Sequence, residues 1–273
     1  MARNYFYTIN TFTELKERLV NIHGDNLEVL KLVDGGASSS SANTFIFKIK
    51  TISDKVFKFT TIPSSGSFPY SRSVNFSYGD SYVDDVLINE LFICGDGTKA
   101  KDYANSDDIY GMSIVLGSEL LIIQYRYKSA FVDGSRCVQT IILNKLTDNR
   151  TVALSCYSSS SDATQLQPYS KGVIIEDNTP ISINTHMIAG TYGGKTAITE
   201  LPLYYGIVVI NPDFIMKEDE LLTFKDIKLS SYCNDNLTNY ILGDGSGVFL
   251  IKANQMNGGF IGDSNCLFVP LMS

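Results

Sequence analysis

At 273 residues and 30.1 kDa, with 44% hydrophobic, 11% aromatic and 19% charged residues, the chain can bury one large core or two small ones. Ordinary apolar content and a net charge of only -7 exclude intrinsic disorder, and a pI near 4.9 argues against a nucleic-acid partner, which needs clustered Lys and Arg. The longest apolar runs, Ser113–Val115 and Leu120–Ile123, are broken by polar residues well short of the ~18 that a membrane-crossing helix needs.

One segment near the start reads as helix. Thr11-Phe12-Thr13-Glu14 has capping-box spacing, with Thr11 as N-cap and Glu14 three residues on. Phe12, Leu15, Leu19 and Ile22 then recur at steps of three and four, and Gly24 stops the pattern. His23, at the end of this helix, is placed where a cation would meet the helix dipole favourably. Tyr5–Ile9 before the helix and Leu27–Val33 after it read as strands.

From Gly35 onward the texture is β. A Gly/Ser/Ala/Asn loop precedes Phe45, Phe47 and Ile49, which alternate with Ile46, Lys48 and Lys50. After a turn at Ser53-Asp54-Lys55, Phe57 and Phe59 alternate with Lys58 and Thr60, so the pair reads as a hairpin with one dry and one wet face. The lysines here, like Arg126 and Lys128 later, then belong to a solvated sheet face. Pro63–Pro69 is a second loop. Val86–Cys94 reads as an inner strand or a short buried helix. Ser113–Leu116, Leu120–Lys128, Cys137–Asn144 and Thr151–Ser158 are strand-like runs joined by turns at Asp133-Gly134 and Thr147-Asp148-Asn149. The expected fold class is mainly β (α+β): an antiparallel β-sandwich or barrel-like sheets with a short N-terminal helix.

The Ser-rich stretch from Ser158 to Pro168 is the best candidate linker, which divides the chain into 1–165 and 166–273; one continuous β domain fits nearly as well. Beyond it come Val173–Glu176, Ile181–Ile188, Leu203–Ile210, Leu221–Leu229, Tyr240–Leu242, Val248–Lys252 and Cys266–Leu271. Asn211-Pro212-Asp213 with Lys217–Leu222 is compatible with one helical turn.

The motifs that could carry chemistry fail on context. Ala189–Thr196 fits a relaxed phosphate-binding loop, but Pro202 leaves barely one turn for the helix whose N-terminus would hold the phosphates. Two histidines, His23 and His186, and no Gly-x-Ser-x-Gly elbow give no hydrolytic triad; Gly243–Gly247 has the wrong offset. Zinc would need Cys and His at ligand spacing, and Cys94, Cys137, Cys156, Cys233 and Cys266 are isolated. Their odd number, and an N-terminus without the apolar run and cleavage site of a secretory signal, predict free thiols in a cytosol. The Asn-x-Ser/Thr triplets at Asn75, Asn149 and Asn236 carry no weight without secretion. Acidic clusters at Asp80, Asp84 and Asp85, at Asp102, Asp107 and Asp108, and the Asn234-Asp235-Asn236 run match no calcium loop and read as solvated turns. Glycoside hydrolysis has no guide among 29 acids, and the absence of Trp weakens carbohydrate stacking, although 16 Tyr are present. No catalytic residue, metal ligand or cofactor is therefore assigned.

What remains is a Tyr- and Phe-rich, charge-poor surface of the kind favoured at protein contacts. The opening Met-Ala-Arg-Asn-Tyr-Phe-Tyr runs directly into a short helix. The chain closes on Val248-Phe249-Leu250-Ile251-Lys252 and Cys266-Leu267-Phe268-Val269-Pro270-Leu271-Met272. In these segments and in its Asn/Ser/Tyr-rich β texture the chain resembles a bacteriophage virion protein from a tail, baseplate or neck. That resemblance implies a non-enzymatic structural component of the particle. It implies partners that are copies of itself and other virion proteins, and assembly in the host cytoplasm. A β-sandwich module binding a glycan or host surface is the alternative, and a glycan-degrading enzyme the next. Tyr5, Phe6, Tyr7, Phe12, Leu15, Leu19 and Ile22 are the expected assembly contacts, with an equal expectation that the helix stripe covers the chain's own sheet.

Overall fold

The computed structural model describes residues 4–34, 43–63, 71–94, 109–127, 139–157 and 171–181, and the backbone of short strands between 203 and 271. It is mostly β, with antiparallel sheets and one short N-terminal helix. The first strand, β1 (Tyr5–Ile9), leads into α1 (Phe12–His23), a 3-10 turn over Gly24–Asn26, and β2 (Leu27–Val33). The next strands are β3 (Asn43–Ile49), β4 (Val56–Pro63), β5 (Ser71–Gly79), β6 (Ser81–Val83), β7 (Val86–Ile88) and β8 (Leu91–Cys94). They are followed by β9 (Ile109–Leu116), β10 (Leu120–Tyr127), β11 (Gln139–Lys145), β12 (Thr151–Tyr157), β13 (Lys171–Ile174) and β14 (Thr179–Ile181).

Twelve of these strands form one hydrogen-bonded sheet. Its path is β14-β13-β12-β11-β10-β9-β5-β4-β3-β2, with β1 added to β9 and β8 to β5. Between β5 and β9 the ladder narrows to the single pair Ser71 with Ile109. The sheet folds over there into two layers whose inner faces share a core. From one layer come Phe45, Phe47, Phe57, Phe59, Phe76 and Tyr78, and from the other Ile114, Leu121, Ile123, Ile141 and Leu143, all essentially without solvent contact. Two long-range hydrogen bonds tie the layers: Thr151 Oγ1 donates to the Ile52 carbonyl at 2.7 Å, and the Tyr78 hydroxyl donates to Asn178 Oδ1 at 2.8 Å. Burial pushes the Tyr78 hydroxyl up to about 12, with the nearby carboxylates of Asp177, Asp80 and Glu176 adding to it, so it remains a donor throughout the physiological range.

The strands β9 to β13 are buried on both faces. Val115, Ile122, Ile142, Val152, Leu154 and Ile174 alternate with the inner-face residues and are just as inaccessible. Such two-sided burial explains why these segments read as continuous apolar runs rather than alternating ones. The sheet also continues past residue 165 through β13 and β14, so a division of the chain at that point would cut within it.

The helix forms where its caps and stripe predict. Thr11 Oγ1 accepts from the Glu14 amide at 3.1 Å, and Gly24, at φ +52°, returns its amide to the Val20 carbonyl. Glu14 reaches back one residue further than the capping box requires, accepting from the Asn10 amide at 2.7 Å. Asp34, just beyond β2, accepts from the Thr13 amide at 2.6 Å and supplies a second cap from a distant part of the chain. Replacing Thr11 with Ala is expected to cost about 1 kcal/mol in urea denaturation, because the Glu14 amide loses its acceptor.

Further along, β15 (Leu203–Tyr204), β16 (Ile207–Ile210), β19 (Lys228–Ser230), β20 (Asn239–Ile241), β21 (Gly247–Lys252) and β22 (Cys266–Leu271) form a sheet in the order β15-β16-β19-β22-β21-β20. The helical turn expected near Lys217–Leu222 is instead a hairpin of β17 (Asp213–Lys217) and β18 (Glu220–Thr223), with a bulge between Phe214 and Met216. Short β-branched and aromatic runs with a tight turn satisfy their backbone groups across a ladder more readily than in one isolated helical turn.

Candidate interaction surface

The seven residues expected to make assembly contacts fall into two groups. Phe12, Leu15 and Leu19 are 2%, 0% and 0% exposed and belong to the chain's own core. Phe12 lies against Phe45 and Phe59, with ring centroids 6.1 and 6.4 Å away, and Ile22 packs half-buried beside them. Phe12, Leu15 and Leu19 thus cover the chain's own sheet, the alternative given equal weight above, and these three offer no side-chain surface to a partner. The physical reason is that a 12-residue helix is marginal alone and is held by burying its apolar face. Tyr5, Phe6 and Tyr7 sit half-buried on β1, paired with Leu116, Val115 and Ile114. Tyr7 packs on the core, stacks with Tyr5 and carries the Arg18 guanidinium 4.6 Å above its ring.

A different surface offers apolar groups to solvent. The segment Val86–Cys94, expected as an inner strand or a short buried helix, is strand but broken in two, with Leu87 and Ile93 buried and Val86, Ile88 and Leu91 exposed. Its first half is the return strand of the β6–β7 hairpin, and its second half is β8, which pairs with β5. The break falls at Asn89, which has φ +54°. At the hairpin tip Asp84 and Asp85 both take positive φ, 50° and 64°, as a two-residue turn between right-twisted strands requires. Short polar side chains tolerate that conformation better than the flanking valines would.

The hairpin has two faces because successive side chains alternate. Tyr82 and Leu87 point inward onto Ile46, Val56 and Leu30 of the layer below. Val83, Val86 and Ile88 point outward, 52%, 56% and 39% exposed, and Leu91 at the start of β8 adds a fourth apolar group at 39%. Val83 and Val86 are direct cross-strand partners, so the exposed groups form a ridge.

Surface ion pairs join this region to the sheet. Lys31 Nζ lies 2.8 Å from Asp85, Lys58 Nζ 3.0 Å from Glu90, and Lys55 meets Asp80. Asn89 donates to Asp80 at 2.6 Å and Ser77 to Glu90 at 2.6 Å. The Asn89 and Lys55 hydrogen bonds hold the Asp80 carboxyl below its ordinary range, and Lys31 and Tyr82 do the same for Asp85. Asp80, Asp84 and Asp85 are exposed turn acids, as the sequence suggested, and two of them also pair with lysines of the layer beneath, Asp80 with Lys55 and Asp85 with Lys31. Of the lysines expected on a wet sheet face, Lys55 pairs with Asp80 at the base of the hairpin and Lys58 with Glu90 just beyond it, while Lys31 of β2 pairs with Asp85 at its tip. Close approach at Gly79 seats it, since a side chain there would meet the Ile88 carbonyl oxygen at 2.5 Å and Leu87 Cγ at 2.6 Å.

Among the described residues, no group of three or more His, Cys, Asp or Glu is placed to hold a metal ion, and no helix is long and apolar enough to cross a membrane. His23 is not the dipole-facing cation expected from its position. It is 5% exposed, and burial lowers its pKa to about 4, which leaves it neutral at pH 7. The Ala189–Thr196 loop, His186, Asp102, Asp107, Asp108, Asn234–Asn236, the Asp133-Gly134 turn, Cys137 and Cys233 lie outside the described residues, as do the side chains of Cys94, Cys156 and Cys266. No family model, curated protein or solved structure matches the chain.

The hairpin carries a signal readable in the sequence. Val83-Asp84-Asp85-Val86 places two turn-tolerant residues between β-branched ones, a pattern that competes with the acidic clustering of Asp80, Asp84 and Asp85.

Proposed function

We propose that this chain is a non-enzymatic structural protein that works by assembly, and, on the resemblance of its sequence texture, a component of a phage tail, baseplate or neck. The observation that carries the reading is the outward Val83, Val86 and Ile88 of the β6–β7 hairpin, with Leu91 also exposed at the start of β8, and the Lys31–Asp85 and Lys55–Asp80 pairs that join the hairpin to the sheet. Contiguous exposed apolar groups mark contact surfaces, and a pre-formed ridge loses little conformational freedom on docking. The partners are copies of itself or other proteins of the particle, and the ridge replaces the helix stripe as the contact.

Lysine at Val83 and Ile88 tests this directly. Both positions face solvent, so thermal unfolding is expected to stay within about 0.5 kcal/mol of wild type, whereas association in sedimentation velocity, or incorporation into purified particles, is expected to be lost. Unchanged association in the double variant, or a wild-type chain that stays monomeric at high concentration and is absent from particles, would sink the reading.

A further inference from the structure

His23 sits at the joint between α1, the 3-10 turn and the β3–β4 turn. Its Nδ1 lies 3.2 Å from Thr51 Oγ1, and its Nε2 is buried with no hydrogen-bond partner. The turn it touches is a junction. Lys50 donates its amide to the Asn26 carbonyl at 2.9 Å, and the Ile52 carbonyl accepts from Thr151 of the opposite layer. Charged side chains on the surrounding elements are Glu17 and Arg18 on α1, Asp25 on the 3-10 turn, Glu28 on β2, Lys48 on β3, and Lys50, Asp54 and Lys55 in the β3–β4 turn. Glu17, Arg18, Asp25, Glu28, Lys50 and Asp54 are exposed, and Lys48 is paired with Asp54 at 3.3 Å and Lys55 with Asp80. Across the joint Glu176 accepts from the Thr151 amide. No carboxylate therefore receives a proton-bearing Nε2.

We propose that His23 is an acid-sensitive latch, which holds the last turn of α1 and the following 3-10 turn against the β3–β4 turn while neutral and releases them once its ring is protonated. A second proton on the ring makes both nitrogens donors, and a charged donor without an acceptor is far costlier in a dry site than a neutral nitrogen. Opening the joint lets water reach Nε2.

The sign follows from linkage. The ring has a pKa of about 4 when enclosed and the ordinary 6.5 when open, so protons favour the open joint as pH falls below 6.5. The open population is expected to rise roughly 20-fold between pH 7 and pH 5.

Hydrogen-exchange protection factors at the two pH values test the latch. The amides of Gly24 and Lys50 are expected to lose roughly 20-fold protection in wild type and almost none in His23→Gln, with Ile142 in β11 unchanged in both. An equal loss in wild type and variant, or an equal loss at Ile142, would overturn the proposal. Should the variant fail to fold, ¹⁵N shifts of the wild-type ring decide the matter: a midpoint near 4 supports the latch, and one near 6.5 removes it.

Discussion

Phe59→Ala is expected to lower the unfolding free energy by about 3–5 kcal/mol, with Phe59→Leu costing much less. Phe59 has no solvent exposure and stands at the centre of an aromatic stack. Its ring lies 4.6 Å from that of Phe76, 5.7 Å from Phe47 and 6.4 Å from Phe12. Truncation removes contacts with β3, β5 and α1 together, and these strands are too constrained by their ladders to collapse into the space. Urea denaturation should show a lower midpoint with an unchanged slope. In a chain of this length the melting temperature should fall by about 10 °C. A loss below about 1 kcal/mol would mean that the stack does not support the core.

Gly79→Ala is expected to destabilise by about 2–3 kcal/mol through overpacking, and to unseat the hairpin that carries the proposed contact. The glycine is needed for space rather than for unusual backbone angles. An added Cβ would press on the backbone of β7, and the Asp80 amide would lose its 2.9 Å bond to the Ile88 carbonyl. Leu87 would be lifted from Ile46 and Val56, and the geometry of the Lys55–Asp80 pair would be lost with it. Amide exchange at residues 81–88 should rise while that of β10 and β11 holds. Association should fall even though every apolar residue of the ridge is intact. Retained association with a mobile hairpin would show that the ridge is not what the partner reads. An unchanged stability would show that the hairpin is seated by something other than this contact.

Local signals in the sequence were enough wherever one element decides its own conformation. Thr11, Glu14 and Gly24 bound α1, the Phe45–Ile49 and Phe57–Phe59 alternation places β3 and β4, and Asn149, at φ 71°, makes the β11–β12 turn. Each depends on neighbours within about four residues, so composition and period suffice. The mainly β class follows from the same signals, repeated along the chain.

Which face of each element meets which partner was decided only by the tertiary structure. The stripe Phe12, Leu15 and Leu19 is equally apolar whether it docks on another protein or on its own sheet, and what buries it is the aromatic layer of β3 and β4. Asp80 and Asp85 look like any exposed acids until Lys55 and Lys31, distant in sequence, come beneath them. His23 carries an ordinary helix-end signal, and its neutrality comes from burial at a joint made by Thr51. Val86 and Ile88 are as apolar as the core valines and isoleucines, yet they face outward because Leu87 between them takes the inward position. Residue type and spacing determine what a side chain can do, whereas burial and charge pairing depend on segments that are far apart along the chain and adjacent only once it has folded.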